Sequence, residues 1–105
     1  MSKNEVQGKS IVLKEKPSKV LISIKQINQK ASNQKDLAYS RKVSSKIDAT
    51  DSHTIDILNK FVDEGIVEKT KAGRRNVLTL TDKGEKIADA LNEVNLAYNE
   101  VAISD

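Results

Sequence analysis

Lys69, Lys71, Arg74 and Arg75 place four cations within seven residues, around Ala72 and Gly73 and with no acid among them. Such a cluster attracts polyanions, and Arg reaches phosphates or the negative potential of a narrow minor groove. Upstream, Ser52, His53, Asp56, Asn59 and Lys60 recur at a spacing that gathers them on one side of a helix. Hydroxyl, imidazole, amide and ammonium groups in that arrangement hydrogen-bond to base edges or phosphates. Arg41 and Lys42 add two further cations. Each set also has a plainer reading, as a solvated turn or an exposed helix face. Asp56 opposes nucleic-acid contact, because phosphates repel a carboxylate unless it accepts from a cytosine amino group.

Catalysis is not expected. The chain has no Cys, a single His and no Gly-rich phosphate loop, and its acids are scattered over helix surfaces. His53 has no second His or Cys to share a metal with, so neither a metal nor a cofactor is expected.

At 105 residues the chain has room for one domain with one modest core. Charged residues make up 31% and hydrophobic residues 37%, which suits a folded protein with a heavily charged surface. The absence of Cys is consistent with a reducing compartment. No apolar run approaches the roughly 20 residues that span a bilayer, and the Lys-rich start lacks the apolar segment of a signal peptide. The expected location is cytoplasmic, without membrane association.

The net charge of +3 is small, but its distribution is uneven. Residues 1 to 46 carry eleven Lys/Arg against three acids, and residues 69 to 84 carry five against one. Between and after them the balance reverses, with one against six over 47 to 68 and one against five over 85 to 105. Basic patches meet polyanions; acidic segments form opposite faces or partner surfaces.

The elements that must position these groups follow from pattern. Residues 1 to 9 read as a loose polar tail, and "SIVLK" as a short strand. Pro17 sits in the first turn of a helix whose Val20, Leu21, Ile24 and Ile27 form a core face. "QKASNQKD" is a loop and "LAY" a short strand. Ser40 is the expected N-cap of a short second helix with Val43 and Ile47 on one face. Thr50 or Asp51 caps a third helix over 51 to 64, with Ile55, Leu58, Phe61 and Val62 buried and Gly65 as its stop. Alternating residues on both sides of "KAGRR" predict a β-hairpin. Thr81 or Asp82 caps a final helix whose Ile87, Leu91, Val94, Tyr98 and Val101 are spaced 4, 3, 4 and 3. That seam suits packing on another helix, either within the domain or in a second copy of the chain; self-association is preferred because the helix runs past the hairpin it must cover.

The expected fold is mainly α with a small β-hairpin (α+β). Its order of helix, short strand, two helices, hairpin and helix resembles the winged helix-turn-helix. The stretch "VSSKIDATDSHTIDILNKFVDEGIVEKTKAGRRNVLTLTDKGEKIADAL" resembles the DNA-binding core of MarR-like and related archaeal winged-helix regulators, most specifically at "LTLTDKG", residues 78 to 84. The resemblance covers residues 37 to 92 well and the tail not at all. It implies that Val43, Ile47, Ala49, Ile55 and Leu58 are helix-turn-helix core residues.

On this reading residues 10 to 84 form a winged helix-turn-helix domain and residues 85 to 105 an extended C-terminal dimerisation helix. The expected activity is sequence-specific binding of double-stranded DNA by a small homodimeric transcriptional regulator, cytoplasmic and associated with the nucleoid. The recognition helix, 51 to 64, enters the major groove, about 12 Å wide. Ser52 and His53 in its first turn contact bases or phosphates, and Asn59 and Lys60 reach a base or flanking phosphate. Arg41 and Lys42 meet the backbone, while Lys69, Lys71, Arg74 and Arg75 of the wing, 69 to 76, meet backbone or minor groove. Two other readings stay open. One is an architectural or partition-type DNA binder of low specificity; the other is a winged helix used for protein interaction, consistent with the acidic segments.

Overall fold

The computed structural model describes residues 14–104; the expected tail at 1 to 9 and residues 10–13 of the expected strand lie outside them. The chain forms α1 (Glu15–Lys30), a 3-10 turn η1 (Gln34–Asp36), α2 (Ser40–Ile47), α3 (Asp51–Asp63), β1 (Val67–Ala72), β2 (Arg75–Leu80) and α4 (Asp82–Ser104). Pro17 is the third residue of α1, where its missing N–H leaves no helical bond unmade.

The core is one cluster. Val20, Leu21 and Ile24 of α1 meet Val43 and Ile47 of α2, Ile57, Leu58 and Phe61 of α3, and Leu78 of β2. Ala88 of α4 is also fully buried. Lys25 of α1 lies 2.6 Å from Glu85 and 3.1 Å from Asp89, fastening α1 to α4, and the two carboxylates raise its pKa.

Two sequence expectations about the helices need correction. Ser40 is the first helical residue of α2 and caps nothing; the N-cap is Tyr39, which makes no side-chain cap bond. In α3 the buried residues are Thr54, Ile57, Leu58 and Phe61, whereas Ile55 is 41% exposed. The rotation has a physical cause. The Thr54 hydroxyl donates to the Thr50 carbonyl at 2.9 Å, so a nominally polar residue is satisfied in the core and ranks with the apolar ones. Hydrophobicity alone favours Ile55 over Thr54 and turns the helix too far.

The expected strand at "LAY" is reduced to one bridge, Ala38 with Leu78. It is completed by a side chain. The Leu78 N–H donates to the Ala38 carbonyl at 2.8 Å, the Ala38 N–H donates to Asn28 Oδ1 at 2.8 Å, and Asn28 Nδ2 donates to the Leu78 carbonyl at 2.9 Å. The amide of Asn28 thus does for this junction what another strand would do. Asn28→Ala is expected to destabilise the fold by about 2 kcal/mol in urea denaturation, because an inward-facing N–H and C=O lose their partners. A loss below about 0.5 kcal/mol would mean that water replaces the amide without cost.

Candidate nucleic-acid interface

α3 is held at both ends. Thr50 caps it, its hydroxyl oxygen accepting from the His53 N–H at 3.1 Å. Asp51 in the first turn is hydrogen-bonded by the Ser44 hydroxyl and lies 3.9 Å from Arg41 Nε, which ties α3 to α2. Between the helices, Asp48 takes the left-handed conformation at φ 58°. After Glu64 the chain reverses at Gly65, φ 73°.

With that orientation fixed, Ser52, His53, Ile55, Asp56, Asn59 and Lys60 are all exposed. Ser52, His53, Asp56 and Lys60 make no side-chain hydrogen bond or ion pair among the described residues, so their polar atoms are available. The acidic balance of this segment also resolves spatially: Asp51 is engaged with Ser44 and Arg41, and Asp63 and Glu64 sit at the far end of α3. Asp56 is the one acid in the exposed face from Ser52 to Lys60.

The hairpin pairs Lys69 with Leu78, Lys71 with Asn76 and Ala72 with Arg75, leaving Gly73 and Arg74 as a two-residue turn. Gly73 has φ 66° and no atom within 4 Å of a Cβ placed on it, so its requirement is conformational rather than steric. Alternation puts Lys69, Lys71, Asn76 and Leu78 on one face. That face turns toward α3, because Leu78 is in the core and Lys69 Nζ donates to Asn59 Oδ1 at 3.2 Å.

Between α3 and the hairpin lies a cleft of about 270 Å³. Ile55, Leu58 and Asn59 line it from α3 and Lys69, Arg74 and Arg75 from the hairpin, and Tyr39 and Ser40 also border it. Its lining holds three cations and no carboxylate. The Arg75 guanidinium stacks over the Tyr39 ring at 4.1 Å, and Lys42 Nζ approaches the same ring at 5.5 Å. Such stacking limits the freedom of a long cation and leaves its outward N–H groups free. Lys42 also donates to the Asp36 carbonyl at 3.0 Å.

The expected residues therefore fall into groups. Asn59, Lys69, Arg74 and Arg75 come together at the cleft, and Lys42 joins them through Tyr39. Ser52, His53 and Lys60 lie on the exposed face of α3 and Lys71 on the exposed hairpin. Arg41 stands apart, in a hollow that it shares with Asp48 and Asp51, where the two carboxylates weaken its pull on an anion. Tyr39 was not among the expected residues, and its spacing from Arg75 carries no sequence signal; the Ala38–Leu78 bridge brings them together.

The candidate dimer residues divide as well. Ile87 and Leu91 are half-buried and pack on the chain's own core, and Val94 is 63% exposed. The side chains of Tyr98 and Val101 lie outside the described ones. The helix starts at Asp82, so the expected boundary at residue 85 falls within its first turn. No described helix is long and apolar enough to cross a membrane.

No family model matches the chain. An uncharacterized protein of Archaeoglobus fulgidus is 34% identical over 56 residues, 53% of this chain and 59% of that relative, so the chain spans under two thirds of its length. The crystal structure of AF1382 from Archaeoglobus fulgidus superposes with a TM-score of 0.72 at 25% identity, over 92% of this chain and 97% of that one. A MarR transcriptional regulator from Methanosarcina mazei Go1 superposes with a TM-score of 0.64 at 19% identity, over 84% of this chain and 57% of that one. The fold is a winged helix of the kind found in that regulator, mainly helical with a two-stranded antiparallel hairpin.

Proposed function

We propose that the chain binds double-stranded DNA as a homodimeric, nucleoid-associated transcriptional regulator, with α3 in the major groove and the hairpin on backbone or minor groove. The observation that carries this reading is the acid-free cleft between α3 and the hairpin. Major and minor grooves are separated by one sugar-phosphate strand, so a helix in the first and a hairpin on the second must straddle that strand. Lys69, Arg74 and Arg75 then face phosphates, while Ser52, His53, Asn59 and Lys60 face the groove. Lys42 and Lys71 extend the phosphate contacts, and Arg41 contributes least because Asp48 and Asp51 share its hollow. The shared fold of the Methanosarcina mazei regulator supports the same reading.

The test is a salt titration of duplex binding followed by fluorescence anisotropy. Log affinity is expected to fall linearly with log salt, and the variant with Arg74→Ala and Arg75→Ala to show a slope shallower by up to about 2 units on every sequence. An unchanged slope removes the hairpin from the DNA. Equal affinity for all duplexes at every salt concentration would favour an architectural role, and no binding even at low salt a protein partner.

A further inference from the structure

Ile55 is not needed to fill the core. It is 41% exposed, on the same face of α3 as Ser52, Asp56 and Asn59, while the core face of the helix is filled by Thr54, Ile57, Leu58 and Phe61. The part of this aliphatic side chain that stays exposed on an otherwise polar face forfeits the burial that it would gain against an apolar group. Ile55 also borders the cleft that holds Lys69, Arg74 and Arg75, so whatever covers it must be compatible with three nearby cations. A wholly apolar partner would have to desolvate those cations; a polyanion with a local apolar group would not.

Among the base edges displayed in the major groove, only thymine offers such a group, its C5-methyl. We infer that Ile55 reads a thymine in the target site by packing on that methyl. The inference rests on the DNA-binding reading given above. Residue 55 lies in the second turn of α3, one turn beyond Ser52 on the same side, in the N-terminal half of the helix that approaches base edges in this motif. Ser52 and Asn59, one turn to either side of it, supply the hydrogen bonds that fix register, and Ile55 supplies discrimination that hydrogen bonding cannot.

The experiment begins with the full chain and a random duplex pool, from which bound sequences are selected. In the best of them each thymine is replaced singly by deoxyuridine, which removes the methyl and nothing else, and affinity is measured for the wild-type protein and for Ile55→Ala. At one thymine per half-site the wild-type protein is expected to lose about 4-fold, the value of one buried methyl-sized group. Ile55→Ala is expected to bind the unmodified site correspondingly less well and to show no change at that thymine. Its melting temperature should stay near that of the wild type, since Ile55 is outside the core and Ala suits a helix. Binding in which every deoxyuridine substitution affects both proteins equally overturns the role of Ile55 and leaves the DNA-binding reading standing. Failure to bind any duplex at low salt overturns both. A large drop in the stability of Ile55→Ala would show Ile55 to be a packing residue, which also overturns the inference.

Discussion

Gly84→Ala is expected to destabilise the protein by about 2–4 kcal/mol, although it places a better helix former inside a helix. On propensity alone the change stabilises by up to about 1 kcal/mol, so the sign of the effect separates the two accounts. A Cβ on Gly84 would stand 2.1 Å from the Ile66 carbonyl oxygen and 3.3 Å from Leu80 Cβ. That carbonyl cannot yield freely. It accepts from the Thr81 N–H at 3.1 Å, and the Thr81 hydroxyl lies within hydrogen-bonding distance of it and of the Gly65 carbonyl, at 3.1 and 2.6 Å. The same hydroxyl oxygen accepts from the Gly84 N–H at 3.1 Å, and Lys83 Nζ donates to the Glu64 carbonyl at 3.2 Å. The first turn of α4 is therefore fastened to the point where α3 ends and β1 begins. An added methyl must push these elements apart, and with them α3 and the hairpin. Urea denaturation measures the effect; a variant as stable as the wild type would show that the helix can retreat without cost.

The same contacts give a physical basis to "LTLTDKG", the string that most specifically resembles the winged-helix regulators. Thr81 is both cap and fastener, and Gly84 is required by space, not by backbone conformation, in contrast to Gly73 at the hairpin turn. Local signals of this kind were legible: Thr50 caps α3, Gly65 ends it, and Gly73 turns the hairpin. What was not legible depends on contacts through space. Asn28 in the helix pattern gave no hint that its amide would complete a bridge 50 residues away at Leu78. Tyr39 and Arg75 meet beside that bridge. Thr54 and Ile55 exchange places because a hydroxyl can satisfy itself on its own helix, an option that a hydrophobicity pattern does not register. Four of the ten expected DNA contacts, Asn59, Lys69, Arg74 and Arg75, converge on one cleft, since α3 and the hairpin are joined by a turn too short to let them part.

Val94→Asp is expected to give a folded monomer whose affinity for a two-half-site duplex falls by about 100-fold or more, through loss of the second, effectively intramolecular contact. The reasoning starts from length. α4 has 23 residues and α1, which it packs against, has 16, a difference of 7 residues or roughly 10 Å of helix. Ile87 and Leu91 already use part of their surface on the chain's own core, whereas Val94 in the next turn is 63% exposed. A second copy related by a two-fold axis would offer that surface its own complement and, on the function proposed above, would set the two α3 helices at half-sites about one helical turn apart or a multiple of it. Asp at position 94 would meet its counterpart across the axis, so that burying two like charges opposes association. Leu91 is the poorer choice for this test, because a carboxylate there would also disturb the monomer's core. Sedimentation at tens of micromolar decides the matter. A wild-type protein that is monomeric there, or a Val94→Asp variant that remains dimeric, would mean that Val94 of α4 is not the seam of a dimer.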